Sequence, residues 1–129
     1  MRPLPATKLA AALVAAALFS SVARAQSPAA PFVYDAQVTT APSTIIPANP
    51  ARKAIEFCNP NAAITVAICP AVQRRTGAAI TCAVNGRGSV TLPPSTCWSK
   101  TASQGATFPT AWSGVAASGS PFITIFEIE

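Results

Sequence analysis

The chain predicts an all-β fold: a small antiparallel β-sandwich of about seven short strands, Ig-like or jelly-roll-like in plan, stapled by two disulfides. Three observations carry this expectation. Short runs with alternate apolar residues recur along the chain, and Pro, Gly, Asn and Ser cluster between them. Beyond Ala25 no stretch has the three-to-four spacing of an amphipathic helix. Four cysteines stand in a chain whose start has the pattern of an export leader.

The leader pattern comes first in the chain. Arg2 and Lys8 give a positive start, Leu9 to Phe19 is apolar and Ala/Leu-rich, and Ala23-Arg24-Ala25 supplies the small residues that a signal peptidase reads, so cleavage is expected after Ala25. The apolar run is about 11 residues, against the roughly 20 that span a bilayer, which favours a leader over an anchor and leaves no membrane span in the mature chain. The expected organisation is a signal peptide over 1–25, a disordered Ala/Pro-rich stretch over 26–31 and a single β-sandwich domain over 32–129. The expected location is periplasmic or secreted, in a bacterial setting.

The strands follow in order. Phe32 to Thr39 predicts a first strand, with Phe32, Tyr34 and Val38 as candidate buried residues. Ala41-Pro42 breaks it, and Ser43 to Ile46 reads as an edge, where proline is tolerated. Arg52 to Cys69 reads as a β-hairpin: Ile55 and Phe57 share one face, Ile64, Val66 and Ile68 share another, and Asn59-Pro60-Asn61 is turn chemistry. Ala79 to Val84 predicts a further strand, joined through Asn85-Gly86, a strong hairpin signal, to Ser89–Leu92. Thr96 to Lys100 places Trp98 inward and Cys97 outward. Thr110 to Ala117 carries Trp112 and Val115. Phe122 to Ile128 is apolar on both parities, which suits a central strand or one covered on both sides.

Cysteine spacing argues for disulfides over a metal. The gaps are 10, 12 and 14 residues and the chain has no histidine, whereas structural zinc sites use short Cys-x2–4-Cys knuckles. In the expected hairpin Cys58 and Cys69 would lie at opposite ends, about 20 Å apart at about 3.3 Å per residue, too far for a bridge. That removes 58–69, and 82–97 with it. Cys69–Cys82 with Cys58–Cys97 is preferred over the remaining pairing, because the strands carrying Cys69 and Cys82 are sequential.

Charge and residue inventory exclude several functions. With Arg2, Lys8 and Arg24 in the leader, six cations (Arg52, Lys53, Arg74, Arg75, Arg87, Lys100) face four acids (Asp35, Glu56, Glu127, Glu129). This is not the concentrated basic footprint of a nucleic-acid binder. Without histidine, every Ser-His and Cys-His arrangement is missing. No phosphate-cradling loop, metal cluster or cofactor motif is present, so the expectation is a non-enzyme with no cofactor. Glu127 and Glu129 share a face two residues apart and read as solubilising charges at a frayed terminus rather than a catalytic pair. Trp98 and Trp112 read as core rather than as a carbohydrate platform. Arg74-Arg75, between Cys69 and Cys82, is the candidate interaction pair. It reads as a solvated loop tip, an anion contact, or the presenting loop of a small secreted protease inhibitor.

The stretches I-P-A-N-P-A-R-K-A-I-E-F-C-N-P-N from Ile46, G-R-G-S-V-T-L-P-P, and A-W-S-G-V-A-A-S-G-S-P-F-I-T-I-F-E-I-E resemble small bacterial and bacteriophage β-sandwich proteins of structural or surface type. Arg52–Asn59, Gly88–Pro93 and Trp112–Glu127 correspond to their strand motifs. The resemblance implies a non-enzymatic surface or assembly module, whose partner would be a protein, a cell-surface polymer or another copy paired through an edge strand such as Ser43–Ile46.

Overall fold

Eight strands, and no helix, make up the regular structure of the computed structural model, which describes residues 30–101 and 109–129. The signal-peptide expectation and most of the 26–31 stretch lie outside the described residues. The strands are β1 (Phe32–Gln37), β2 (Ser43–Ile46), β3 (Ala54–Asn59), β4 (Val66–Pro70), β5 (Val90–Leu92), β6 (Thr96–Thr101), β7 (Trp112–Ala116) and β8 (Phe122–Ile128). They form two antiparallel four-stranded sheets, β1-β8-β3-β6 and β2-β7-β4-β5.

Between the sheets lie Val38, Ile46, Ile55, Phe57, Val66, Ile68, Leu92, Trp112, Ile123 and Ile125, all buried. Each such side chain contributes about 1.5–3 kcal/mol on leaving water. Trp112 is the centre of an aromatic group, 5.0 Å from the Phe57 ring and 5.6 Å from the Trp98 ring, so both tryptophans are core residues. The wall beside them depends on Gly114, where an added Cβ would meet Ile45 and Val38 at 3.1–3.3 Å. β8 lies between β1 and β3, a central strand as its two-sided apolar pattern suggests. Phe32 departs from expectation. It shares parity with half-buried Tyr34, but at the outer end of an edge strand it is 58% exposed.

The Arg52–Cys69 hairpin is not formed. Both strands exist, yet β3 belongs to one sheet and β4 to the other. Alternation reports that one face of a strand is buried; it does not say which strand pairs with it. Here Ile55 and Phe57 meet Val66 and Ile68 across the sandwich rather than along one sheet. The crossing is held by Asn59, a buried side chain at the end of β3. Its Nδ2 donates to the carbonyls of Ile64 (2.8 Å), Leu92 (3.0 Å) and Pro93 (3.1 Å), and its Oδ1 accepts from the Asn61 backbone (3.2 Å) and side chain (2.7 Å). Cys58 and Cys69 are unbonded for a different reason from the one expected: they lie on the outer faces of different sheets, which stack about 10 Å apart.

The strand expected over 79–84 is not a ladder strand either. Residues 71–89 lie across the outer face of the second sheet, folded back on themselves through an isolated bridge between Val72 and Ala79. Ile80 and Val84 pack there on Ala67, Cys69, Cys82 and Val115. A segment lying flat on a sheet buries alternate residues as a strand does. Asn85 (φ 58°) and Gly88 (φ 80°) take the left-handed positions of two successive turns, closed by Gly86 N–H to Ala83 O (2.9 Å) and Ser89 N–H to Gly86 O (3.2 Å). Gly86 is not left-handed, so the type I′ hairpin turn is not made.

Candidate functional site

The polar centre of the molecule is built around Glu127, which sequence reasoning read as a solubilising charge. Arg52, in the turn leading into β3, is only 2% exposed, and Glu127 on β8 is 7% exposed. Arg52 Nε donates to Glu127 Oε1 at 2.8 Å, Nη1 to the Thr110 carbonyl at 2.9 Å and Nη2 to the Pro47 carbonyl at 2.9 Å. Asn49 Nδ2 donates to Glu127 Oε1 and Glu129 Oε1, both at 2.7 Å, and the Tyr34 hydroxyl donates to Glu127 Oε2 at 3.3 Å. A buried charge pair persists only when its remaining donors and acceptors are also met, and here backbone carbonyls and Asn49 meet them. Burial, followed by the Glu127 charge, pushes the Tyr34 hydroxyl up to about 12.

Glu127 is therefore a structural residue and not a frayed solubilising charge. Its parity with Ile123 and Ile125, both buried, was the available signal. The group borders an open groove of about 390 Å³ lined by Phe32, Tyr34, Pro47, Asn49, Glu127 and Glu129.

Arg74 and Arg75 are exposed at the tip of the 71–89 excursion. The tip holds its own shape: Gly77 N–H donates to Gln73 O (2.8 Å), Gln73 N–H to Ala78 O (2.7 Å), and Thr76 Oγ1 to Gln73 Oε1 (3.0 Å). Gly77 sits at φ 69° to close it. The two arginines are thus wound into a turn.

At the base of the same excursion Cys69 and Cys82 are both buried. They lie close enough to influence each other's ionisation. Burial pushes the Cys69 thiol up to about 12 and raises Cys82 as well. Cys82 Sγ lies 3.5 Å from the Ser113 carbonyl and 3.7 Å from that of Ala67. Thiols kept protonated in an apolar site are poor nucleophiles. The expected Cys69–Cys82 bridge is not formed, although its two partners are buried close together as free thiols.

The other expected pair is bonded. Cys58 on β3 and Cys97 on β6 stand directly opposite, Cα atoms 4.0 Å apart, and form a disulfide. The bridge points to an oxidising environment. Glu56 lies beside it, but sulfurs tied in a disulfide have no thiolate to offer a metal.

On the outer face of the first sheet and along its β1 edge, apolar residues stay open to solvent: Val33 (56% exposed) and Phe122 (54%), with Phe32 at the end of β1. No helix among the described residues is long and apolar enough to cross a membrane. Compared with family models, with curated proteins and with solved structures, the chain matches none.

Proposed function

We propose that the chain is an exported bacterial β-sandwich module that works by contact rather than catalysis, in a structural, surface-binding or assembly role. Its partner is a protein or cell-surface polymer, or another copy of itself; nucleic acid is not among its ligands. The observation that carries this reading is the unequal covering of the two sheets. The chain covers the outer face of the second sheet with its own 71–89 segment, and leaves Phe32, Val33 and Phe122 of the first sheet to solvent. Contiguous open apolar surface marks an interaction site, and Val33 stands opposite Phe126 on the same outer face that carries Phe122.

The leader pattern and the Cys58–Cys97 bridge support export to the periplasm or beyond. For Arg74-Arg75, the wound tip favours a contact with anionic groups over the protease-inhibitor reading, since it does not offer an extended strand for pairing.

The test is expression of the full chain in a bacterial host, followed by fractionation and sedimentation. The parent is expected on the cell surface or in sedimenting assemblies. The Phe32→Asp/Phe122→Asp double variant, with unchanged melting temperature, is expected to be free and monomeric. A parent that is itself free and monomeric in every fraction overturns the reading.

A further inference from the structure

We propose that β1 is an assembly edge at which a second copy of this chain adds its own β1, antiparallel, across a twofold axis through Val33. The proposal rests on the contact-module reading and names its partner.

The four sheet edges are unequally protected. An unpaired edge invites another strand unless it is short, bulged, charged or interrupted by proline. β2, the edge that the sequence suggests, has four residues, a register shift between Thr44 and Ile46, and Pro42 and Pro47 on either side. β5 has three residues and runs into Pro93. β6 carries Lys100. β1 has the fewest of these devices, with Pro31 just before it and none of the shortness or bulging of β2 and β5. Its six residues keep one register against β8 throughout, with no proline or cation among them, and its single charge, Asp35, accepts a hydrogen bond from Thr124 Oγ1 at 2.8 Å.

Twofold symmetry then restricts the register. Two identical antiparallel edges related by an axis perpendicular to the sheet must place residues of like parity opposite each other, and the interface must be self-complementary. An axis through Asp35 puts two carboxylates directly opposite, which is unfavourable. An axis through Tyr34 sets Val33 against Asp35. An axis through Val33 sets Val33 against its own copy on the outer face, Phe32 against Tyr34 on the other, and Asp35 against Pro31, just before the strand. The first two are apolar pairings of the kind that stabilise adjacent strands. The exposed Phe32 and Val33 are thereby covered, and the two sandwiches become one with eight strands in its first sheet.

Cross-linking reads the register directly. In the full chain, Val33→Cys is expected to give a disulfide-linked dimer under mild oxidation, because two copies of residue 33 face each other. Gln37→Cys, on the same face of the same strand, is expected to stay monomeric, since its copies would be about 26 Å apart at about 3.3 Å per residue. Val33→Lys is expected to raise the dimer dissociation constant at least about tenfold in sedimentation velocity, through like charges placed opposite each other. A dimer linked by Q37C and not by V33C overturns the proposal. Assemblies that persist in Val33→Lys with no V33C cross-link also overturn it, while leaving the contact-module reading intact. A protein that is monomeric at every concentration yet held on the cell surface does the same. One that is monomeric and free removes both.

Discussion

The two sheets have the same number of strands and each carries a cysteine pair on its outer face, yet they meet solvent differently. On the β2-β7-β4-β5 sheet the outward residues of the central strands are small, Ala67, Cys69 and Val115, and they are roofed by the chain's own excursion. On the β1-β8-β3-β6 sheet the outward residues include Val33, Phe122 and Phe126, and no described segment roofs them. The cysteines follow the same division. Cys58 and Cys97 join neighbouring strands at the surface, whereas Cys69 and Cys82 lie buried where the excursion meets the sheet. Small outward residues admit a covering layer close to the sheet; large ones are left for something else to cover.

The largest effect that would break this arrangement is at the tie between the sheets. Arg52 joins Glu127 of the first sheet to the carbonyls of Pro47 and Thr110, which flank β2 and β7 of the second. Glu127→Ala leaves a buried guanidinium without its counter-charge and should cost about 3–5 kcal/mol, seen as a lowered urea midpoint. An unchanged midpoint would mean that the pair is not the tie described.

Next in size, Cys58→Ser should lose about 2–4 kcal/mol, because the Cys58–Cys97 bridge constrains a separation of 39 residues. Reductant should then have no further effect on the first sheet.

Asn59→Ala, which strands the carbonyls of Ile64, Leu92 and Pro93, should cost about 1–3 kcal/mol. A neutral result in the same urea titration would show that the crossing holds itself.

The smallest effect separates the two cysteine pairs by pH. Cys69 has a folded value of about 12 against an ordinary 9.0. Its contribution is complete below pH about 9 and is lost as pH rises toward 12, because the unfolded chain ionises first. Tyr34, raised from 10.0 to about 12, adds in the same sense. With the thiols reduced, stability should fall through this window. Oxidised glutathione that links Cys69 to Cys82 should remove the cysteine share and leave the tyrosine share, measured by melting temperature against pH. A slope indifferent to oxidation would count against the pairing.

Much of the fold was legible because local chemistry reports burial. Eight of the segments read as strands are strands, β2 lies at an edge, Trp98 and Trp112 are inside, and Cys58 and Cys97 are joined. What failed was partnership. Ile55 and Phe57 alternate identically whether β4 lies beside β3 or across from it, and the Ile80, Cys82, Val84 alternation is the same on a roof as in a ladder. The buried tie failed for a related reason. Arg52 and Glu127 are distant in sequence, and neither alone distinguishes a solvated charge from a paired one. Arg74 and Arg75 were read correctly as exposed, while the turn that shapes them depends on Gln73 and Thr76.

The strand order also imposes a timetable. β8 is the last of the described strands and yet lies between β1 and β3, with Phe32 in register with Glu127. As the polypeptide is synthesised, β1, β3 and β6 are all made before the strand that joins β1 to the other two exists. The first sheet is therefore completed only after the other described strands have emerged, and pairing across such separations is slow. Until then its apolar residues have no native cover. A nascent chain of this kind stays threadable, and most in need of a chaperone, until β8 arrives.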